Sequence, residues 1–248
     1  MNGQKILVFD IETAPLVAYV WGRRDVNIAV NQIKSDSCVI AWSAKWLGDP
    51  AKKIFYLDQR NAKAITNDRA ILVPLWHLLD KADIVVTQNG KAFDSKILNA
   101  RFIMHGMRPP SPYKHLDTFQ IARGAAKFTS NSLEYLTDKL CTKYKKLKHA
   151  KFPGMDLWKE CLAGNITAWD EMKRYNIHDV LATEELYMKL RAWAPNNSPR
   201  VYVGTLDCGT CGTGRLVSRG YNFTRVSKFR KLCCKKCGTW TLGKREAL

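Results

Sequence analysis

The N-terminal run Lys5–Ile11 (KILVFDI) constrains the fold most, because it is a short apolar segment of strand-forming residues that ends in acidic side chains. Similar runs predict strands over Cys38–Leu47, Lys52–Leu57 and Asp83–Thr87. Helical spacing of apolar residues predicts helices over Asp68–Lys81, Phe93–His105 and Ser132–Leu140, and a long helix that starts at a capping box over Thr167–Asp170 and runs to Trp193. Leading strands that then mix with helices predict an α/β fold, with a sheet covered by helices.

Charge divides the chain into two parts. Its 248 residues are 46% apolar and carry a formal net charge of +18, which excludes wholesale disorder and favours a polyanionic partner. Residues 1–195 contain 29 Lys and Arg against 20 Asp and Glu, whereas residues 196–248 contain 11 against 2. Because a polar linker occupies residues 196–201, we expect a large domain over residues 1–195 and a small basic domain over residues 202–248.

The chemical state expected of the cysteines depends on the cellular compartment of the protein. The N-terminus lacks the features of a signal peptide, and the apolar runs are too short to span a bilayer, so we expect a cytoplasmic protein with no membrane partner. In that compartment, eight cysteines favour buried thiols or metal ligation over disulfides. Cys38, Cys141 and Cys161 are predicted to be core residues, and the other five fall within Cys208–Cys237.

Acidic residues mark the ends of two predicted strands. Asp10 and Glu12 are two residues apart, so their side chains share one face of the sheet. Paired carboxylates repel each other unless a cation lies between them, and Mg²⁺ or Mn²⁺ prefers such oxygen ligands. Asp94 follows the Asn89-Gly90 turn at the start of a helix. A solvated strand end and a helix cap explain these acids equally well when each is taken alone.

Tyr175 and Asp179 are four residues apart on the long predicted helix, hence on one helical face. A phenol and a carboxylate in this arrangement can share a water molecule at a metal site. A buried Tyr beside a surface Asp on an amphipathic helix is the simpler interpretation of the pair by itself.

Taken together, these residues resemble a known family. The segments Phe9–Thr13 (FDIET), Asn89–Asp94 and Tyr175–Asp179 (YNIHD) are similar to the three motifs of the DEDD 3′–5′ exonucleases, which belong to the RNase H-like superfamily. The segments His115–Thr118 and Ser132–Leu136 are similar to the branch related to the exonuclease domains of family B DNA polymerases. The resemblance covers about residues 5–190, and the position of Tyr175 matches the tyrosine subtype, DEDDy.

The resemblance implies an RNase H-like mixed sheet flanked by helices and a two-metal mechanism. Asp10, Glu12, Asp94 and Asp179 would hold two Mg²⁺ or Mn²⁺ ions, and Tyr175 would orient the attacking water. The implied activity is 3′–5′ hydrolysis of phosphodiester bonds, with single-stranded DNA ends as the favoured substrate. RNA trimming, structure-specific endonuclease action and a non-catalytic nucleic-acid-binding adaptor are the alternatives.

A basic loop over Lys143–Lys151 lies between the second and third motifs. It offers Lys143, Lys145, Lys146 and Lys148 as phosphate contacts, interleaved with side chains that can stack on bases. A solvated loop without a substrate role is the alternative.

Two Cys-x-x-Cys pairs, Cys208 with Cys211 and Cys234 with Cys237, fit a tetrahedral Zn²⁺ site and resemble a zinc ribbon. Cys233 leaves the register of the second pair open, although Cys234 gives the two-residue spacing. A redox pair is the rival interpretation of such cysteines.

The segment between the two pairs predicts a basic hairpin that contacts nucleic acid. Its candidate contact residues are Arg215, Arg219, Arg225, Lys228 and Arg230. The alternative is a ribbon that docks on a protein partner and whose charges only keep it soluble.

Overall fold

The computed structural model describes residues 4–24, 26–147, 151–194, 208–212 and 214–246. The chain begins with the strands β1 (Ile6–Thr13), β2 (Val17–Ala18), β3 (Ile33–Ser35), β4 (Val39–Trp46) and β5 (Phe55–Asp58). These are followed by α1 (Arg69–Asp80), β6 (Ile84–Thr87), α2 (Asp94–Met104), β7 (Lys114–Asp117), α3 (Thr118–Ala125), α4 (Leu133–Leu140), α5 (Asp156–Leu162) and α6 (Ile166–Leu190). Short 3₁₀ turns cover Val30–Gln32, Ala51–Lys53 and Arg191–Trp193.

A five-stranded mixed sheet has the order β5-β4-β1-β6-β7. The strand β1 pairs antiparallel with β4 and parallel with β6, and the outer pairs β4–β5 and β6–β7 are antiparallel and parallel respectively. Helices pack on both faces. The prediction of an α/β fold with a mixed sheet flanked by helices is therefore confirmed.

Side-chain alternation along β1 determines which layer receives the acidic residues. Phe9 packs among apolar residues of α1 and α2 on one face. Val8 points to the opposite face, where it shares a core with Val180 of α6. Because Asp10 and Glu12 follow Val8 at intervals of two residues, their side chains lie on the face that α6 covers. The central strand thus carries its carboxylates toward the long helix.

The long helix begins differently from the prediction. Asn165 is its N-cap, and the Asn165 side chain accepts hydrogen bonds from the backbone N–H groups of Thr167 at 3.0 Å and Ala168 at 3.4 Å. The predicted capping box at Thr167 and Asp170 is therefore wrong. An Asn at N-cap satisfies the free N–H groups of the first turn as well as a Ser or Thr would.

Several other elements depart from the sequence pattern. The predicted strand over Lys52–Leu57 begins only at Phe55, because Ala51–Lys53 forms a 3₁₀ turn. The sequence pattern did not predict β2, β3, β7, α3 and α5, which are all eight residues long or shorter. Of these, β7 matters for the site, because it extends the sheet beside β6.

The cysteine-rich tail forms its own sheet. Its strands are β8 (Leu216–Thr224), β9 (Ser227–Cys234) and β10 (Trp240–Glu246), in the order β10-β9-β8. Antiparallel pairing of β8 with β9 confirms the predicted hairpin. The linker over residues 196–201 lies outside the described residues, so the proposed domain boundaries stay predictions.

Cys38, Cys141 and Cys161 are buried, as the sequence predicts for core residues. Within the described ranges, every helix is too short or too polar to cross a lipid bilayer.

Candidate active site and cysteine metal centre

Three carboxylates from two elements converge on the face of the sheet that α6 covers. Asp10 and Glu12 come from β1, and Asp179 comes from α6. One oxygen of each carboxylate lies within 4.8 Å of the corresponding oxygens of the other two. A cluster of oxygen donors with this spacing suits a hard divalent cation such as Mg²⁺ or Mn²⁺.

Asp94, the fourth predicted acid, is the first residue of α2. Its Oδ1 atom accepts a hydrogen bond from the backbone N–H of Ile11 at 3.2 Å, so the carboxyl group lies against β1. The negative charge of Asp94 raises the pKa of Asp10, after the larger effect of burial. Asp94 therefore adjoins the three-carboxylate cluster.

A tight turn before α2 brings Asp94 to this edge of the sheet. Asn89 has a φ of 62°, and a Cβ at Gly90 would lie 2.4 Å from the Thr87 hydroxyl oxygen, so only glycine fits there. Asp117 at the end of β7 holds the turn by accepting hydrogen bonds from the backbone N–H groups of Asn89 at 2.8 Å and Lys91 at 3.0 Å. Asp117 thus positions the segment that carries Asp94.

Burial disfavours the charged forms of the four acids. Burial, and then the charges of the neighbouring acids, raise the pKa of Asp10 well above its ordinary value. Burial and the charge of Asp179 raise the pKa of Glu12 to about 8, and burial raises the pKa of Asp94 to about 6. The pKa of Asp179 is also raised by burial. Carboxyl groups in such a cluster ionise fully when a cation binds between them.

Lys146 of the basic loop supplies a positive charge to the cluster. Its Nζ atom donates to Asp179 Oδ2 at 2.5 Å and lies 4.6 Å from the centroid of the Tyr175 ring. Burial opposes the ammonium charge, but Asp179 and Tyr175 outweigh it and raise the pKa of Lys146. Asp179 Oδ1 is also buried and has no hydrogen-bond partner among the described residues, which leaves a donor oxygen for a further cation.

Tyr175 lies inside this site and is only 8% exposed. A hydrogen bond joins its side chain to that of Asp179, and its ring packs edge-on against Trp158, with ring centroids 6.3 Å apart. The Trp158 side chain also hydrogen-bonds Glu12 and opposes the rise of the Glu12 pKa. His178 instead packs against another ring, that of Tyr144, as expected of a residue outside the cluster.

Asn176 is a site residue that sequence reasoning missed. Its side-chain N–H donates to Asp10 Oδ2 at 2.8 Å, and its backbone carbonyl accepts a hydrogen bond from the Ser43 hydroxyl at 2.8 Å. Asn176 is fully buried and lies three residues before Asp179, so both side chains lie on one helical face. The available signal was this helical spacing within the YNIHD motif. Asn176 fixes the orientation of one carboxylate against α6.

The other lysines of the basic loop are more exposed. Lys145 Nζ lies 3.0 Å from Asp138 Oδ1, and Lys143 Nζ lies 5.0 Å from the centroid of the Tyr144 ring. Lys148 lies outside the described residues. A pocket of about 590 Å³ adjoins this loop, and its lining residues are Ser130, Ser132, Glu134, Tyr135, Asp138, Lys139, Lys145 and Lys146. Lys146 belongs both to this lining and to the contacts of Asp179.

Four cysteines of the tail form a second cluster. The Sγ atoms of Cys208, Cys211, Cys234 and Cys237 all lie within 4.8 Å of one another. The structure places Cys234 in this group, whereas the Cys233 thiol approaches backbone carbonyl groups instead. Four thiols at this spacing match the donor set of a structural zinc site.

The backbone around the cysteines suits thiolate ligands. The N–H groups of Thr210 and Lys236 each donate to a cysteine sulfur, Cys208 and Cys234 respectively, at 3.4 Å. A Cβ at Gly214 would lie 2.1 Å from Cys234 Sγ, so this glycine lets the backbone approach the cluster. Burial raises the pKa of Cys208 to about 12, and thiols that resist ionisation in this way lose their protons to a bound metal.

The predicted contact residues of the tail lie along the β8–β9 hairpin. Arg215, Arg219, Arg225 and Arg230 are exposed, and Lys228 Nζ lies 4.2 Å from the centroid of the Tyr221 ring. Phe223 is 62% exposed on the same hairpin. The hairpin therefore presents guanidinium groups together with aromatic rings, and its contact with nucleic acid stays a prediction.

Comparison with known proteins defines the class of the chain. Residues 7–191 match the family model of the RNase H superfamily, and the chain therefore belongs to that superfamily. Membership supports a nuclease that cleaves nucleic acid. No curated protein matches the chain.

A comparison with solved structures also finds a similar fold. The chain is similar to the family B DNA polymerase from the hyperthermophilic archaeon Pyrobaculum calidifontis, with a TM-score of 0.54 and 13% sequence identity. The match covers 80% of this chain and 26% of the polymerase chain, so the chain corresponds to about a quarter of the polymerase. At this identity the likeness shows a shared fold.

Proposed function

We propose that the chain is a divalent-metal-dependent 3′–5′ exonuclease of the DEDD tyrosine subtype. The observation that carries the proposal is the convergence of Asp10, Glu12 and Asp179, with Asp94 hydrogen-bonded to the same strand. The raised pKa values of these acids and the unpartnered Asp179 Oδ1 fit a site that binds cations. A pure binding protein would gain nothing from clustered negative charge beside a phosphate backbone.

The four carboxylates would hold Mg²⁺ or Mn²⁺, which supplies activation of a water and neutralisation of charge that develops on the scissile phosphate. Asn176 keeps Asp10 in the orientation that a ligand needs, and Trp158 does the same for Glu12. The Tyr175 hydroxyl orients the attacking water. Its raised pKa makes it a hydrogen-bonding group rather than a base.

Two basic surfaces would bind the nucleic-acid substrate. The pocket at the basic loop shares Lys146 with the acidic cluster, and we assign it to phosphate groups next to the cleaved bond although Glu134 and Asp138 also line it. The tail, proposed as a zinc ribbon over residues 202–248, would add a second grip through its exposed arginines. A protein partner docked on the ribbon is the alternative for this part of the chain.

We favour DNA over RNA and single-stranded ends over internal sites, and this preference rests on the resemblance to the exonucleases of family B polymerases. RNA trimming and structure-specific cleavage would use the same acids. The non-catalytic adaptor is the weakest alternative, because three of the acids converge, Asp94 lies against the same strand and Tyr175 is hydrogen-bonded to Asp179.

The direct test uses a 5′-labelled single strand, as DNA and as RNA, with Mg²⁺ or Mn²⁺. We expect a ladder that shortens from the 3′ end with the wild-type chain and no cleavage with Asp10→Ala or Asp179→Ala. Both variants should keep the wild-type circular dichroism spectrum well below their Tm, although Asp179→Ala should lower the Tm because it leaves Lys146 without its carboxylate partner. Full activity in the two folded variants would contradict the site assignment, and stronger cleavage of RNA would contradict the choice of polymer.

A further inference from the structure

The segment that follows β1 exposes an unusual number of large apolar side chains. We call residues 16–24 and 26–35 the aromatic arm. Trp21 is fully exposed and Tyr19 is 67% exposed. The other exposed apolar residues of the aromatic arm are Leu16, Val17, Val20, Val26, Ile28 and Val30. Exposed apolar side chains in such number along one short segment indicate an interaction site.

The backbone of the aromatic arm is ordered by its own hydrogen bonds. The strands β2 and β3 pair antiparallel, and the Tyr19 N–H donates to the Gln32 carbonyl at 2.9 Å. The Gln32 side chain donates to the Tyr19 carbonyl at 3.1 Å and accepts from the Ala29 N–H at 2.8 Å. Tyr19 is therefore held in place although its ring is largely exposed. Order without burial indicates that the rings serve a contact outside the domain core.

The charge of the aromatic arm is positive. Arg23, Arg24 and Lys34 are exposed on it, and Asp25 is the acid that the sequence places among them. Lys34 Nζ lies 5.9 Å from the centroid of the Tyr19 ring. Aromatic rings interleaved with cations match the chemistry of a single nucleic-acid strand, whose bases stack on rings while its phosphates face positive charges.

The base of the aromatic arm lies close to Glu12 along the chain. The strand β1 ends at Thr13, and β2 begins at Val17, five residues after Glu12. Five residues of fully extended chain span at most about 18 Å, so the aromatic arm starts within that distance of Glu12. A hydrogen bond from the Ala14 N–H to the Cys38 carbonyl at 2.8 Å holds this base against the segment that leads into β4.

We propose that the aromatic arm binds the single-stranded substrate, with bases stacked on Trp21 and Tyr19 and phosphates near Arg23 and Arg24. The proposal rests on the proposed nuclease function and identifies a surface that binds the nucleic-acid substrate of that same site. Protein partners and single strands both bind apolar rings, but the arginines beside the rings and the short chain connection to Glu12 favour the nucleic acid.

Fluorescence anisotropy with a labelled single-stranded 20-mer of thymidine tests the proposal. The full chain carries Asp10→Asn, so that the strand stays intact, and is compared with the same chain carrying Trp21→Ala or Tyr19→Ala. Trp193→Ala is the matched control, because Trp193 is 67% exposed and belongs to the 3₁₀ turn after α6. We expect Trp21→Ala to raise the Kd about tenfold or more, which corresponds to about 1.4 kcal/mol, and the control to change it less than twofold.

Hydrolysis of a small substrate tests the proposed nuclease function independently of strand binding by the aromatic arm. In the chain with its four acids intact, Trp21→Ala should raise the KM for the 20-mer and leave hydrolysis of the p-nitrophenyl ester of thymidine 5′-monophosphate unchanged, since the ester is too short to reach the aromatic arm. Equal 20-mer affinity in Trp21→Ala and Trp193→Ala would overturn the proposal and assign the surface to a protein partner. Loss of ester hydrolysis in Trp21→Ala would overturn it too. Failure of the wild-type chain to hydrolyse the ester counts against the proposed function alone, because the affinity comparison still decides the role of the aromatic arm.

Discussion

Replacing Lys146 with methionine tests whether the acidic cluster is held together by a cation. Lys146 donates to Asp179 and is the nearest cation that the described residues show at this carboxylate. Its positive charge also lowers the pKa of Asp10 and of Glu12. Methionine keeps most of the side-chain length and removes the charge, so the metal-free variant must fold with its acids unneutralised or protonated.

The expected loss of stability in Lys146→Met follows from the burial of the Lys146–Asp179 ion pair. The side chains of Lys146 and Asp179 are 27% and 6% exposed. Removing one partner of a buried ion pair costs about 3–5 kcal/mol, and the partial exposure of Lys146 places the expected loss near 3 kcal/mol at pH 8. For a chain of this length, such a loss lowers the Tm by about 6–12 °C.

The loss of stability in Lys146→Met should depend on pH. The folded-state pKa of Glu12 is raised to about 8, above its ordinary value of 4.5, and the charge of Lys146 opposes that rise. Groups with a raised folded-state pKa contribute stability below the ordinary pKa and lose it as the pH rises through the folded-state pKa. The deficit of Lys146→Met should therefore be small at pH 4.5 and should grow up to pH 8.

Denaturant and thermal unfolding of the metal-free chains at pH 4.5 and pH 8 measure this effect. Lys145→Met is the matched control, because Lys145 pairs with Asp138 at a site where both side chains are 53% exposed, and such pairs contribute about 0–1 kcal/mol. Saturating Mn²⁺ should recover part of the stability that Lys146→Met loses. A Tm for Lys146→Met equal to that of Lys145→Met at pH 8 would refute the reasoning.

Three further changes test other parts of the site. Tyr175→Phe should slow hydrolysis about 10–100-fold and leave Mn²⁺ affinity unchanged, since the carboxylates still hold the ions; a rate equal to wild type in single-turnover kinetics would remove Tyr175 from the mechanism. Cys234→Ser should lose the bound zinc that elemental analysis detects, while Cys233→Ser should keep one zinc per chain, and the reverse pattern would contradict the register of the cysteine cluster. Deleting residues 200–248 should weaken oligonucleotide binding and flatten its salt dependence by about 0.7 in the log–log slope for each phosphate group that the tail neutralises; an unchanged slope would assign the tail to protein docking.

The sequence predicted the parts of the site that depend on local periodicity. Alternation along β1 places Asp10 and Glu12 on one face, and helical spacing places Tyr175 and Asp179 together. The spacing of the two Cys-x-x-Cys pairs is likewise visible in the sequence. Each of these patterns is a property of neighbouring residues, so it can be read before the fold is known.

Contacts that depend on tertiary structure were beyond the sequence. Lys146 looked like one of several loop lysines, and only the path of the loop brings it to Asp179. Asn176 contacts Asp10 across 166 residues of chain. Trp158 reaches Glu12 from a helix of seven residues that the sequence pattern did not predict. The strand β7, Lys114–Asp117, is four residues long with three polar or charged side chains, and only its pairing with β6 makes it a strand.

Incubation with a linear single strand and its covalently closed circle, in Mg²⁺ and with Asp10→Ala as the control, tests the central claim most directly. A 3′–5′ exonuclease needs a free end. We therefore expect the linear strand to be shortened from its 3′ end to mononucleotides while the circle of the same sequence stays intact, and neither to be cut by Asp10→Ala. Cleavage of the circle by the wild-type chain would contradict the account and assign the same four acids to an endonuclease.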